Sequence, residues 1–419
     1  MSNVSTPGNQ TFFGRYNPQE LAARFGSPLY VYNEGILRQK CRDMQQIMDY
    51  PQFTANYSIK ANSNLRLLEI VREEGLYADA MSPGEILFLE KAGFRPDQIF
   101  FVPNNVSADE MRFASEHQIL ISHDSLDQLA LTGQIAPGSR VAIRIKPGVG
   151  AGHHEKVITA GKKTKFGISI DQLPEARQIA EKHQLKIVGV NQHIGSLFME
   201  PTPYLLAAEH FLQVAEQFPD LELVDLGGGF GIPYHKLSGE SHLDLHLLRQ
   251  ELTRLVEAFV RRYGRQVTFK SEPGRYIVAE CGVLLGTVHA MKENGGTTYA
   301  GTDLGFNVLA RPVMYDSWHD IQVFHNGKVV DSPDKKPLTV VGNICESGDI
   351  IAKDRMMPPV QTGDVLAVLD AGAYGYSMSS NYNNRLRPAE ILICENGEAV
   401  LIRRRDNYED LFRGFSDLS

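Results

Sequence analysis

Eight short β-branched or apolar runs, separated for the most part by stretches of helical period, constrain the fold of this chain more than any other feature of its sequence. The runs are Phe53–Lys60, Tyr77–Met81, Ile99–Val102, Gln118–Ser122, Arg140–Lys146, Lys186–His193, Glu222–Leu226 and Val267–Ser271. Between them, Leu65–Glu74, Pro83–Ala92, Ala108–His117 and Leu245–Tyr263 carry amphipathic helical patterns. Parallel strands need crossover helices, and eight βα units over this length predict a (β/α)8 barrel of the TIM type, an α/β fold. Ser82-Pro83-Gly84-Glu85 marks one helix start, with a capping serine, proline at the first helical position and a glutamate three residues on for a capping box.

Beyond about residue 280 the pattern changes to short alternating runs with frequent glycines, which predicts a C-terminal all-β domain. Its strand candidates are Val283–Met291, Leu338–Val341, Val365–Leu369, Ala389–Ile393 and Ala399–Arg403, with a late helical stretch at Asn407–Arg413. Pro28–Tyr32 fits either domain. The expected division is a barrel over residues 36–281 and a β domain made of 1–35 plus 282–419.

Composition narrows the function. With 42% hydrophobic and 22% charged residues, the 419-residue chain has the makings of a large core. A net charge of -8 with interspersed signs leaves no basic stripe for nucleic acid, which favours a small-molecule substrate. Met1–Gln19 is polar and lacks a signal pattern, and no apolar run reaches membrane-spanning length, so the expected place is the cytoplasm, with no membrane partner. The four cysteines, Cys41, Cys281, Cys345 and Cys394, are widely spaced without a CxxC pair, which argues against a disulfide framework and a zinc site. No metal is expected.

In such barrels the chemistry sits at the C-terminal strand ends, and here those ends are polar. They carry Lys60, Arg144 and Lys146, His193-Ile194-Gly195-Ser196, Gly227-Gly228-Gly229-Phe230-Gly231, and Glu272-Pro273-Gly274-Arg275. A lysine ending a core strand is a better amine nucleophile when burial lowers its pKa, as a Schiff-base lysine requires; taken alone it reads equally as an ion pair or a cation reaching water. Three glycines after a strand let backbone N–H groups face a phosphate, although the same run serves a tight βα connection. Glu272 is either a solvated rim carboxylate or the anion that keeps a cofactor ring nitrogen protonated, and so keeps the ring an electron sink. His193 is a core or capping histidine by default, yet Gly195 beside it leaves room for a flat cofactor.

Seven blocks then follow in order: YSIKAN around Lys60, HIGS at His193, DLGGGFGIPY from Asp225, SEPGRYIVAECGVL from Ser271, RPVMYDSWH from Arg311, CESGD from Cys345 and DAGAYGYSMSSNYN from Asp370. Over nearly its full length the chain resembles the diaminopimelate decarboxylases, alanine-racemase-fold enzymes that use pyridoxal 5'-phosphate. The resemblance implies that Lys60 forms the Schiff base with the cofactor, Glu272 partners the ring nitrogen and His193 stacks on the ring. It places Ser196, Gly227, Gly228, Gly229, Gly274, Arg275 and Tyr374 about the cofactor. Arg275, Arg311, Tyr315, Glu346 and Tyr374 match substrate contacts, and Cys345 matches the acid that reprotonates the product carbon. It further implies a homodimer with shared active sites, into which Cys345 and Glu346 reach from the partner, and decarboxylation of meso-2,6-diaminopimelate to L-lysine in lysine biosynthesis.

Decarboxylases of ornithine, arginine or carboxynorspermidine share the cofactor apparatus, and Glu346 within CESGD is the discriminating position. A racemase of this fold would need a tyrosine base opposite the lysine, and a cofactor-carrier barrel would lack the β domain with Cys345 and Tyr374. Leu197-Phe198-Met199, Leu304 and Asn343 depart from the family pattern, which means either a reshaped pocket rim or repacking. Gly148–Lys165, with His153 and His154, reads as a mobile cover. Cys41, Cys281 and Cys394 read as packing residues, and Arg403-Arg404-Arg405 as a solvated strand end.

Overall fold

The computed structural model describes residues 12–146, 151–152 and 165–415. The expected cover loop, including His153 and His154, lies outside them apart from Ala151, Gly152 and Lys165. The chain forms two compact units: Arg38–Pro233 with His242–Ile277, and a second made of the segment up to Leu37, Tyr234–Ser241 and everything from Val278.

The first strand, β1 (Leu29–Asn33), belongs to the second unit. The first unit is the barrel: β2 (Phe53–Ser58), β3 (Tyr77–Ala80), β4 (Ile99–Phe101), β5 (Leu120–His123), β6 (Arg140–Lys146), β7 (Lys186–Asn191), β8 (Leu223–Gly228) and β9 (Thr268–Glu272). All neighbours are parallel, and pairing of β5 with β6 closes the ring. Phe100, Ala142 and Leu223, from three non-adjacent strands, meet in one apolar cluster, which fixes the inward face. Two-residue alternation then turns Arg144 and Asp225 inward as well, one layer closer to the C-terminal rim.

The helix Leu245–Tyr263 forms over the expected residues because each signal agrees: Asp244 caps it by accepting from the Leu247 N–H at 2.9 Å, and it ends on Gly264 at φ 79°. Leu126–Ile135, Leu173–Lys182 and Pro201–Ala215 are further helices. In Pro201–Ala215 eight residues are buried, so apolar side chains occupy most of the circumference and blur the period. The capping box expected at Ser82 is not reciprocal. Ser82 accepts from the Glu85 N–H at 3.3 Å, but the Glu85 carboxylate reaches past the cap to the Met81 N–H at 2.6 Å.

The second unit is a mostly antiparallel sheet of β1, β10 (Gly282–Asn294), β11 (Thr297–Thr302), β12 (Ile321–His325), β13 (Lys336–Val341), β14 (Ile350–Met357), β15 (Val365–Val368), β16 (Ala389–Ile393) and β17 (Ala399–Arg403), with one short additional strand. β1 lies between β10 and β16, which decides the domain of the ambiguous Pro28–Tyr32 run. Phe12, Phe13, Leu29, Val31, Leu285 and Ile391 lie in its core. β14 escaped the sequence reading because Lys353, Asp354 and Arg355 interrupt it, with Asp354 at φ 48°. Asn407–Arg413 is a 3-10 turn at Tyr408–Phe412 rather than an α-helix. Arg403 is not freely solvated; it is half-buried and ion-paired with the buried Glu390.

The departures in sequence are matters of packing at two positions. Phe198 is buried, stacked on Tyr204 at 5.0 Å and tilted against Phe230 at 5.2 Å. Leu304 is buried over Gly286, where an added Cβ would lie 2.2 Å from the leucine Cγ, so the bulk at one position fills the space left at the other.

Candidate active site

β2 stops at Ser58, two residues short of the expected end, because the chain turns there. The Ser58 N–H bonds to the Pro273 carbonyl at 3.1 Å, and the Asn62 N–H closes a 3-10 turn on the Ile59 carbonyl at 3.0 Å. Lys60 therefore stands on a turn at the C-terminal rim and is half-buried rather than enclosed in a strand. Its charge acts on Glu272, Asp79 and His193.

Glu272 ends β9 with 4% of its surface exposed, and its Oε1 has no hydrogen-bond partner among the described residues. Burial raises its pKa, while Lys60, Arg144 and Lys270 oppose that rise. Asp79 and Asp225 share the interior. Burial also raises Asp225, with the Glu272 charge adding to it. Three carboxylates thus face three cations inside one barrel, a balance that keeps buried charge tolerable.

Asp79 accepts from the Ser58 hydroxyl at 2.7 Å, and burial together with the charge of Glu272 pushes its carboxyl up to about 7. The folded state holds this proton more tightly than the unfolded chain does, so the stabilisation it brings is full below the unfolded pKa and is lost as pH rises through about 7. Asp79→Asn is expected to flatten the fall of the thermal midpoint between about pH 4 and pH 7. Melting curves across that range check this, and a variant with the wild-type slope would refute it.

His193 follows β7 by two residues and is held well below the ordinary histidine pKa by burial, then by Lys60 and Arg144. The ring is neutral. The Gly228 N–H donates to its Nδ1 over a long 3.4 Å, which leaves the proton on Nε2. The 3.7 Å approach of Nδ1 to Glu272 is accordingly not an ion pair.

The glycine run has two tasks. Gly227 sits at φ 76°, where an added Cβ would lie 2.2 Å from the Gln192 carbonyl oxygen, so backbone proximity alone demands glycine. Its N–H bonds to Asp225 Oδ1 at 2.8 Å. With the Gly228 N–H spent on His193, Gly229 alone of the three has an N–H without a partner among the described residues. Ser196 accepts from Arg275 Nη2 at 2.9 Å, and Gly274 immediately precedes that arginine in the short turn after β9.

The remaining expected residues lie in the second unit. Arg311 is 2% exposed, and its Nη1 donates to Tyr234 Oη and His319 Nε2, both at 2.9 Å. His319 therefore carries its proton on Nδ1, toward the Leu369 carbonyl at 2.8 Å. Tyr315 ends the same short helix, Arg311–Tyr315. Cys345 is an exposed loop thiol whose N–H donates to Asn383 Oδ1 at 2.9 Å and whose Sγ accepts from Asn383 Nδ2 at 3.2 Å. Exposed Glu346 accepts from Tyr382 Oη at 2.6 Å. Tyr374 is half-buried at φ 57°, a strained backbone for a bulky side chain. Cys41 and Cys281 are buried as expected of packing residues.

Asp79, Asp225 and Lys270 are interior charges to which the sequence reading gave no role. Their signal was present: a carboxylate in the centre of the apolar run Tyr77-Ala78-Asp79-Ala80 is rare unless it is paired or functional.

The family described as pyridoxal-dependent decarboxylase, pyridoxal binding domain, matches residues 34–279. A diaminopimelate decarboxylase of Methanothermobacter thermautotrophicus is 42% identical over 404 residues, covering 94% of this chain and 93% of the relative. The chain belongs to the diaminopimelate decarboxylase family. The Escherichia coli K12 member is 36% identical over 407 residues, with 94% of this chain and 95% of that one covered. A crystal structure of diaminopimelate decarboxylase from Helicobacter pylori complexed with L-lysine superposes at a TM-score of 0.86 and 31% identity, covering 95% of this chain and 98% of that one. As a family member the protein is a pyridoxal-phosphate-dependent decarboxylase, and its barrel is the pyridoxal-binding domain.

Proposed function

We infer that the protein converts meso-2,6-diaminopimelate to L-lysine and carbon dioxide with pyridoxal 5'-phosphate, as the last step of lysine biosynthesis. The observation that carries this reading is the 42% identity over 404 residues to a diaminopimelate decarboxylase. The barrel residues fit the cofactor on a separate observation: the buried Oε1 of Glu272, without a partner among the described residues, is the acceptor that a protonated ring nitrogen needs.

In this reading Lys60 supplies the amine that holds the cofactor, and neutral His193 offers a flat ring without adding positive charge beside the pyridinium. Ser196, Gly229, Gly274 and Arg275 surround the phosphate, with Gly227 and Gly228 shaping the turn. When bound, pyridoxal phosphate supplies the sink for the electron pair left as carbon dioxide departs. Arg311, braced by Tyr234 and His319, is suited to a substrate carboxylate because a guanidinium fixed in orientation binds one bidentately. Arg275, Tyr315, Glu346 and Tyr374 complete the substrate contacts. Cys345 donates the proton to the carbon that lost carboxylate, and the Asn383 amide positions its sulfur. Exposure of Cys345 and Glu346 supports a homodimer in which they serve the partner's site. Four cysteines without a disulfide suit a reducing cytoplasm.

Carbon dioxide release measured in parallel on meso-diaminopimelate, ornithine, arginine and carboxynorspermidine tests the reading. Preference for meso-diaminopimelate is expected; preference for any other substrate overturns the activity but leaves the cofactor chemistry standing.

A further inference from the structure

We propose that the N-terminal end of the barrel holds a second binding site, for a small organic monocarboxylate whose charged end meets Lys270. A cavity of about 730 Å³ lies there, among the first residues of β4, β5 and β6. Its walls include Pro96, Ile99, Ile119, Ile121 and Val141, and Lys270 lines it as well. Lys270 is the middle residue of β9 and 7% exposed. Its ammonium lies 5.4 Å from the Tyr77 ring centroid and 5.6 Å from that of Phe100, and it makes no hydrogen bond or ion pair among the described residues. Ser139, also on the cavity wall, has a buried hydroxyl without a partner among the described residues.

Asp225, Asp79 and Glu272 act on this charge from inside the barrel, but none of them accepts a hydrogen bond from it; a buried ammonium whose donors go unused is costly, and a carboxylate entering the cavity supplies the acceptor. The other charges at this end are already matched. Asp97 is held by Arg95 through two bonds of 3.0 and 2.9 Å, and Arg140 is paired with Glu222. One ammonium and one hydroxyl suit the two oxygens of a carboxylate, whereas a phosphate dianion would call for more donors. The hydrocarbon walls suit an aliphatic body. This site lies at the opposite strand ends from Lys60 and does not rest on the decarboxylase reading.

Titration of the pyridoxal-phosphate-loaded enzyme with hexanoate, followed by calorimetry, tests the proposal. Hexan-1-ol and inorganic phosphate provide arms with the same body and with charge alone. One saturable hexanoate site is expected, weakened by about tenfold or more in Lys270→Met, where the charged partner is lost. The same loss is expected in Ala136→Trp, which fills the cavity while keeping the lysine; neither hexan-1-ol nor phosphate should saturate it. Hexanoate should also slow acetylation of Lys270 by acetic anhydride about tenfold in the wild-type protein, a readout that needs no variant to fold. Absence of saturable hexanoate binding, equal binding of hexan-1-ol or phosphate, undiminished binding in either folded variant, or unprotected Lys270 would each overturn it.

Discussion

Replacing Lys60 by alanine is expected to lower carbon dioxide release from meso-diaminopimelate by about 10³-fold or more and to remove the visible absorbance of protein-bound cofactor. Two losses combine. The amine that holds the cofactor is gone, and so is a charge that opposes the burial-driven rise of Glu272. Without it Glu272 binds a proton more readily, which weakens it as the anion beside the ring nitrogen. Lys60→Arg separates the two effects, because guanidinium keeps the charge but is a poor nucleophile. The arginine variant should therefore retain cofactor, measured by phosphate analysis after dialysis, while turning over as poorly as the alanine variant. A Lys60→Ala protein with the visible band and full turnover would remove Lys60 from the mechanism.

Gly228→Ala should cost the barrel about 3 kcal/mol or more, as expected for overpacking against atoms that cannot yield. The added Cβ would stand 1.9 Å from the carbonyl oxygen of Glu272 and 2.8 Å from its carbonyl carbon. Both belong to backbone on β9, which is paired in register with Gly228. No rotamer change relieves such a contact, so the strands must part where Glu272 is positioned. Gly348→Ala is the control: an added Cβ there has nothing within 4 Å. Denaturant melts of the two variants should differ by most of that cost, and equal stability would show that β8 and β9 separate more easily than their spacing implies.

The two glycine positions mark a boundary of what the chain shows before it folds. A triple glycine after a strand announced a phosphate turn or a tight connection, and the sequence could not choose. The fold uses the run for both: Gly227 and Gly228 are fixed by backbone proximity with their N–H groups spent inside the protein, while Gly229 keeps its donor. Lys60 shows the same limit. Its place at a strand's C-terminal end was legible from the β-branched run before it, but its exposure depended on a turn closed by Pro273, which is more than 200 residues away in sequence. The helix Leu245–Tyr263 was legible because cap, period and terminal glycine agree, whereas Pro201–Ala215 hides its period under eight buried residues.

By itself the sequence determined the βα alternation, the order of the polar strand ends and the motif blocks that place the chain among the diaminopimelate decarboxylases. These are local properties, carried by periodicity and spacing, and they survive without knowledge of any neighbour. Tertiary structure alone decided which charges face one another: the set of Asp79, Asp225 and Glu272 against Lys60, Arg144 and Lys270 is assembled from β3, β6, β8, β9 and the turn after β2. It also decided that Leu304 fits over Gly286, and that Lys270 lines a cavity at the far end of the barrel with no hydrogen-bond acceptor among the described residues. Burial and electrostatic balance depend on distances between strands, and those distances exist only once the ring has closed.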